Sequence, residues 1–465
     1  MAHFDFNTII LNVADDQIES RTSVMIDGTV HIRVKLIPAV SSCPYCGGPV
    51  KLKDYSSHSF NHLPAFGYPT VIDWTRRRYL CKHCGRSFSE PNPFGPEHFH
   101  QTYAVLNSIA KSLSNIHLSF KDIAQANRVS VSTVQLYADS FLVVPRNTLP
   151  VSLGIDELHS QMAKYGGPYL AVLVDNVNRS LCDVLPNRSK RTLSRYFEQI
   201  PAEERKRVRY VTIDLWQPYK DVALKYFPNC CVAADPFHVI KHLTDAFTRL
   251  RVDIMNQCVY GSPEYYLLKK WHRLLETDCD LDNKPKYNSF FKRKLNYRDL
   301  YNMILSLNPN LSLAYHLKEM YRDFNRSCSF ENAPAQLDQL IEAFETADLD
   351  CYKDFVSLLN NWMPEIINSF QRPFDNRKQS NVLTEYINSR LRDLITVSNG
   401  FSNFERFRAR AIYCLNRHVF YTLTSSINSK KREGKTRGSY NKQKDSVLDD
   451  DPNNSIDTMT DDSDD

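Results

Sequence analysis

Two cysteine pairs constrain this chain more than any other feature. They read Cys43-Pro-Tyr-Cys46-Gly-Gly and Cys81-Lys-His-Cys84-Gly-Arg. In each pair two residues separate the thiols, and a glycine follows the second. That spacing turns both sulfurs of a tight knuckle toward one ion, and two knuckles complete a tetrahedral set. With all four ligands supplied by protein, the expected site is closed and structural, and Zn²⁺ is the expected ion. One pair alone would also suit a redox dithiol, but the repeated spacing favours a metal. The other eight cysteines are scattered and read as reduced, half-buried thiols. Two short strand-like stretches lie between the knuckles. The second, over 71–80, carries Arg76, Arg77 and Arg78, a basic edge suited to phosphate contact or equally to plain solvation.

This ribbon sits in a strand-rich N-terminal region, 1–92, with further strands expected at 8–11, 23–26 and 30–37. Pro91, Pro93 and Pro96 mark a linker. Residues 98–145 then show a helix-turn-helix cadence. Phe120, Ile123 and Ala124 would pack a first helix, Val129 would sit in the turn, and Ser130 or Ser132 would cap a second. Val134 and Tyr137 would face inward, leaving Ser132, Thr133 and Gln135 for base edges. Any small three-helix core shares this pattern.

The period changes after residue 150. Apolar runs at 151–156, 169–175, 180–185, 207–214 and 231–235 read as five strands, with helices over 189–199 and 218–226. A three-strand meander followed by two helix-linked parallel strands predicts an α/β ribonuclease-H-like core, its first part spanning 150–241. No Gly-rich dinucleotide or P-loop motif interrupts it. Residues 242–375 are helix-compatible and rich in aromatics.

Two-metal phosphoryl transfer needs carboxylates that converge on one point and suits Mg²⁺ or Mn²⁺. Asp156 and Asp214 each close an apolar run, on strands expected to lie side by side. Glu385 shares a helical face with Asn388 and Arg392 and could complete the set. Asp235, in Asp235-Pro-Phe-His238, competes for the second position, and His238 could orient an acid or a phosphate. Acids at strand ends are also common as solvated caps, and His238 could simply cap the next helix.

Charge points the same way. The net charge is +5, but nine Asp fall in the last 21 residues, which hold no Lys or Arg. The preceding 444 residues carry 58 Lys and Arg against 44 Asp and Glu, a balance of +14. A basic body suggests a polyanionic partner. Residues 426–465, basic and then acidic, read as a disordered tail. No apolar run approaches the roughly 18 residues of a bilayer span, and the first residues lack the basic and small-residue signals of a leader.

Taken together, several segments resemble bacterial insertion-sequence transposases of the ISL3 family. They are the two cysteine knuckles, Gly154-Ile-Asp156-Glu157, Val211-Thr-Ile-Asp214-Leu-Trp216-Gln-Pro-Tyr219 and Asp235-Pro-Phe-His238-Val-Ile-Lys241. Thr384-Glu385-Tyr-Ile-Asn388-Ser-Arg390 and Asn399-Gly400-Phe-Ser-Asn-Phe404 complete the set. The resemblance implies a DDE recombinase: a ribonuclease-H-like core interrupted by a large helical insertion over 242–375, resumed over 376–425, and preceded by a zinc ribbon and a helix-turn-helix. It implies Asp156 and Glu385 as first and third carboxylates, with Asp214 favoured as the second and Asp235 as its alternative. It implies Mg²⁺ or Mn²⁺ in catalysis, double-stranded transposon-end and target DNA as partners, a homodimer or larger assembly on DNA, and residence at the nucleoid in the bacterial cytoplasm. Lys190, Arg191, Arg390, Arg406, Arg408 and Arg410 are phosphate-contact candidates. Two other classes stay open: a transposase-derived DNA-binding protein without catalysis, and a structure-specific nuclease.

Overall fold

The computed structural model describes residues 11–416, apart from 12, 98, 143, 145, 161–166, 278 and 375. The tail expected over 426–465 and most of the strand expected at 8–11 lie outside the described residues.

The first sheet is built from two hairpins. Ile18–Ile26 (β1) and Thr29–Leu36 (β2) turn at Asp27-Gly28, where φ is 46° and 73°. Val50–Ala65 (β3) and Tyr68–Cys81 (β4) turn at Phe66-Gly67, with φ of 53° and 85°. Left-handed backbone at both central residues matches the right-handed twist of the flanking strands. The strand order is β1-β2-β4-β3, with Ser87–Ser89 (β5) on β4 and with β2 and β4 parallel. The strands between the knuckles are therefore long, 16 and 14 residues, where short ones were expected. Inward residues of β2, β3 and β4, among them Val34, Phe60, Ile72 and Trp74, meet Phe94 in one core.

Three helices follow: Tyr103–Leu113 (α1), Phe120–Asn127 (α2) and Val131–Phe141 (α3). Ser119 opens α2 with a capping box, accepting the Asp122 N–H while its own N–H donates to the Asp122 carboxylate. Arg128 ends α2 in the left-handed region, and Ser130 caps α3 by accepting the Thr133 N–H at 3.0 Å. Of the two expected caps it is Ser130 that bonds the Thr133 N–H. Val105, Ile109, Ile123, Val134 and Tyr137 close the small core.

The central sheet comprises Ser152–His159 (β6), Tyr169–Asp175 (β7), Ser180–Leu185 (β8), Tyr210–Ile213 (β9) and Cys231–Ala234 (β10). Its order is β10-β9-β6-β7-β8; β6, β7 and β8 run antiparallel, and β6, β9 and β10 run parallel. Lys190–Glu198 (α4), Ala202–Arg205 (α5) and Gln217–Tyr226 (α6) supply the crossovers. Both faces are covered, so the strands are nearly continuous apolar runs. Leu153, Ile155, Ala171 and Leu173 face α4 and α6. Leu158, Leu170, Val172 and Val174 face two helices from the far end of the chain.

From Pro236 to Asn368 the chain is mainly helical: Pro236–Gln257 (α7), Pro263–Lys270 (α8), Arg273–Glu276 (α9), Tyr297–Leu305 (α10), Pro309–Ser327 (α11), Ala333–Ala347 (α12), Lys353–Asn361 (α13) and Met363–Asn368 (α14). A hairpin of Lys286–Asn288 (β11) and Arg293–Leu295 (β12) interrupts it. The helices start at 236, directly on the end of β10, because Pro236 suits the first turn of α7. Val382–Val397 (α15) and Phe404–Leu415 (α16) then return to the sheet, where Ile387, Leu391 and Phe407 are buried.

Candidate active site

Strand register brings the acids together. Ile155 of β6 pairs with Ile213 of β9, which pairs with Ala234 of β10. The next residues are Asp156, Asp214 and Asp235, one on each of three adjacent strands. Neighbours in parallel register share a sheet face, here the face covered by α15. One expectation needs correcting: β6 continues to His159, so Asp156 lies within a strand, whereas β9 and β10 each stop one residue short of their acids.

Asp156, Asp214 and His238 each offer a ligand atom within 4.8 Å of the others'. They line a cleft of about 410 Å³ together with Glu385, Asn388 and Arg392. His238, on the first turn of α7, places Nε2 at 3.1 Å from Asp214 Oδ1 and 4.0 Å from Asp235 Oδ2. Asp235 is not in the lining of this cleft. It lies deeper, where its Oδ1 accepts the Asn381 N–H at 3.2 Å. Glu385 is exposed on α15 and faces the same cleft.

Two amides, one just ahead of α15 and one within it, hold the sheet acids. Asn381 Nδ2 donates to Asp214 Oδ1 and to the Ile155 carbonyl, both at 3.3 Å. Two turns later Asn388 Nδ2 donates to Asp156 Oδ2 at 2.8 Å and to the Glu157 carbonyl at 3.2 Å. Helix and sheet approach this closely because residue 154 is glycine. A Cβ there would stand 2.8 Å from Thr384 Oγ1 and 3.3 Å from Asn381 Oδ1. Glu157, on the opposite parity of β6, forms an ion pair with Arg188 at 2.6 Å, and the Arg188 guanidinium lies over Tyr169 and Trp216.

Burial dominates the electrostatics. Burial, with the Asp214 carboxylate alongside, pushes the Asp156 carboxyl up to about 8. Burial pushes Asp214 up to about 7 and raises Asp235 as well. Two adjacent buried carboxylates beside an imidazole are a donor set suited to a hard divalent cation, whose charge offsets the cost of ionising them.

The four knuckle sulfurs also lie within 4.8 Å of one another. Cys43 and Cys84 sulfurs are 3.8 Å apart, and Cys46 and Cys81 sulfurs 3.5 Å apart. A tetrahedron with Zn–S bonds of about 2.3 Å has edges of about 3.8 Å, so the set fits zinc. The N–H groups of Cys84 and His83, each 3.3 Å from Cys81 Sγ, hold that thiol down at about 6.

The expected DNA contacts divide into two groups. Arg77 is buried, bonded to Glu19 and the Leu36 carbonyl, and Arg410 is buried against the carbonyls of Asn115 and Leu118. Arg408 grips the buried Asp183, and Arg406 holds Asp139 through two contacts of 2.8 and 2.6 Å. Arg408 and Arg410 tie α16 to β8 and to the segment between α1 and α2, and Arg406 ties it to α3, so phosphate contact is not where their charges are directed. Arg76 pairs with Glu97, Arg78 with Asp54, Lys190 with Asp221 and Arg390 with Asp393. Arg191 is exposed and forms no ion pair among the described residues. Ser132 and Thr133 sit at the capped start of α3, their hydroxyls bonded to Ser130, while Gln135 lines a cleft that includes Phe401 and Arg406.

Asn381 and Arg188 escaped the sequence reading. Asn381 lies just ahead of the helix that carries Glu385, but its partners are 146 to 226 residues away in sequence. Only the register of β6, β9 and β10 brings them into reach.

A transposase family model of the ISL3 type matches residues 153–411, and a model of the zinc finger of IS204/IS1001/IS1096/IS1165 transposases matches residues 39–84. The transposase for insertion sequence element IS1001 of Bordetella parapertussis is 26% identical over 260 residues, 54% of this chain and 62% of that protein. The transposase for insertion sequence element IS1557 of Mycobacterium tuberculosis (strain ATCC 25618 / H37Rv) is 28% identical over 159 residues, 33% of this chain and 35% of that protein. The matched stretches thus span less than two thirds of these relatives. The transposase match covers more than half of the chain and includes Asp156, Asp214, Asp235, His238 and Glu385, so the chain belongs to the ISL3 transposase family.

Proposed function

We propose that this protein is a DDE transposase that binds the terminal inverted repeats of an insertion sequence in double-stranded DNA, cuts them and joins them to a target. In this reading the five-stranded sheet is a ribonuclease-H-like core, and the helical stretch between β10 and α15 is an insertion in it. The α2–α3 pair is a helix-turn-helix that presents Ser132 and Thr133 to DNA. The observation that carries the reading is the buried Asp156–Asp214 pair at the floor of an open cleft, with Glu385 facing it from α15.

Asp156, Asp214 and Glu385 are the proposed catalytic carboxylates, and Asp235 positions α15 through Asn381. Bound Mg²⁺ or Mn²⁺ would activate the attacking oxygen and stabilise the leaving one. Asn388 and Asn381 fix the two aspartates so that neither rotates away. His238 orients Asp214 at Oδ1, the oxygen that also accepts from Asn381. Arg392, exposed at the cleft with no carboxylate partner among the described residues, is suited to a phosphate oxygen. Cutting is attack of water on phosphorus with departure of the 3′ oxygen, leaving a 3′-OH and a 5′-phosphate. Joining is attack of that 3′-OH on a target phosphorus, releasing a target 3′-OH. Both are in-line displacements and use the same carboxylates. Zn²⁺ would sit in Cys43, Cys46, Cys81 and Cys84 as a structural ion. Action on two ends favours a homodimer or larger assembly, and the work would take place at the nucleoid of the bacterial cytoplasm.

The test incubates the full chain with labelled end DNA and a target plasmid, with Mg²⁺ or Mn²⁺ and with EDTA. The expected result is metal-dependent release of 3′-OH ends and their covalent joining to target. Nicking without joining would instead indicate a nuclease, and binding without either step a DNA-binding derivative.

A further inference from the structure

The β11–β12 hairpin carries a concentration of uncompensated charge found outside the proposed active site. Lys284, Lys286, Lys292, Arg293 and Lys294 all lie on or beside it, all exposed, and none forms an ion pair among the described residues. No acid occurs between Asp282 and Asp299 in sequence. The neighbouring Asp282 is already held by Arg298 through two contacts of 2.6 Å. The hairpin is fixed rather than trailing. Its tip residue Phe290 stacks on Tyr266 of α8, with centroids 4.1 Å apart and planes 5° from parallel. Lys270 lies over the other partner of that stack, 5.4 Å from the Tyr266 ring, and adds its charge to the same surface. Tyr287, opposite Lys294 in the hairpin register, is 66% exposed.

The register sets each cation opposite an uncharged residue, Lys286 opposite Leu295, Lys294 opposite Tyr287 and Arg293 opposite Asn288, so no carboxylate across the ribbon neutralises them. What sets this hairpin apart is density: five exposed cations fall within eleven residues, on or beside one fixed ribbon, with no acid among them. A rigid two-stranded ribbon with cations on both strands has the dimensions to lie against a duplex, whose phosphates release counterions on contact.

We infer that the β11–β12 hairpin is a duplex-DNA contact surface that grips the phosphate backbone through Lys286, Lys292 and Lys294, remote in sequence from the catalytic acids. This rests on the proposed DNA transposition. Because phosphates carry no sequence information, the contact strengthens binding to end and non-end duplex alike.

The test measures affinity of the full chain for an inverted-repeat duplex and for a random duplex across a salt series. The variant combines Lys286→Gln, Lys292→Gln and Lys294→Gln. A control combines Lys225→Gln and Lys353→Gln, exposed lysines paired with Glu198 and Asp350. At about 0.9 per phosphate contact, the slope of log K against log salt should flatten by roughly 2 to 3 for both duplexes in the hairpin variant. The control should keep the wild-type slope. Far-UV circular dichroism and the melting midpoint should match wild type, since all three lysines are exposed. An unchanged slope in a wild type that binds DNA overturns the inference and leaves transposition standing. A wild type that binds neither duplex overturns both. Equal flattening in the control would reduce the effect to net charge and also overturn the inference.

Discussion

Asp156 and Asp214 occupy positions where an ionised carboxylate is costly, and that cost is visible in pH. Both have acid constants raised by burial, to about 8 and about 7. The folded chain therefore holds protons that the unfolded chain, with aspartates near 4, releases. Metal-free stability should fall as pH rises from about 4 toward about 8. Asp156→Asn, which removes the charge and keeps an acceptor for Asn388, should raise the metal-free melting midpoint at about pH 8, with the gap closing toward about pH 4. Equal midpoints at both ends of that range would count against the burial argument. Because the bound cation needs both carboxylates ionised, Mn²⁺ affinity measured calorimetrically should weaken as pH drops below about 8, and more steeply below about 7. Asn388 offers a separate check. Its amide touches Asp156 and no reacting atom, so Asn388→Ala should cost roughly 10- to 100-fold in cleavage rate or metal affinity. Asn388→Asp, which substitutes repulsion for donation, should cost more. If both variants cleave and bind Mn²⁺ like wild type, Asn388 is not a positioning residue.

At the scale of elements, the seam between β6 and α15 decides whether Glu385 reaches the cleft. Gly154→Ala would drive a methyl to 2.8 Å from Thr384 Oγ1. Overpacking of this kind costs roughly 1–3 kcal/mol, and here the helix must shift with it. Urea unfolding should show that loss. Thr384→Ala in the same chain should recover part of it, because the two sites share one contact; fully additive losses would mean that the clash lies elsewhere. The ends of β3 and β4 depend on the knuckles in the same way. Pairing begins at Val50↔Cys81, beside the four sulfurs. Zinc removal by a chelator, or Cys81→Ser, should fray that end of the hairpin, seen as faster amide exchange near Val50 and Cys81. It should leave the central sheet protected. Elemental analysis of the purified protein should find zinc, and its loss in Cys81→Ser.

Across the whole molecule, what was legible in sequence was what local pattern encodes. The cysteine spacing located the knuckles, the apolar runs located all five central strands, Ser130 was one of the two expected caps of its helix, and the helix expected from 189 begins at Lys190. Tertiary commitments were not legible. Arg406, Arg408 and Arg410 look like a basic stripe, yet Asp139, Asp183 and the carbonyl of Leu118 engage them from distant segments. Asp214 and Asp235 each end a parallel strand after an apolar run, and no sequence rule ranks them. Burial and the cleft separate them, with Asp214 in the lining and Asp235 beneath it. The hairpin at 286–295 was hidden inside a stretch with helical composition, because three-residue strands leave almost no alternation to read. In the proposed mechanism Asp156, Asp214 and Glu385 do the chemistry while Asp235 supports them. The most direct measurement is single-turnover cleavage of end DNA by Asp156→Asn, Asp214→Asn, Glu385→Gln and Asp235→Asn, with end binding measured on each. The first three should lose about 1,000-fold or more in rate with binding intact, as expected when a carboxylate is removed from a metal-assisted displacement, and Asp235→Asn should lose less. Full activity in Asp214→Asn, or rate losses that merely follow lost binding, would contradict it.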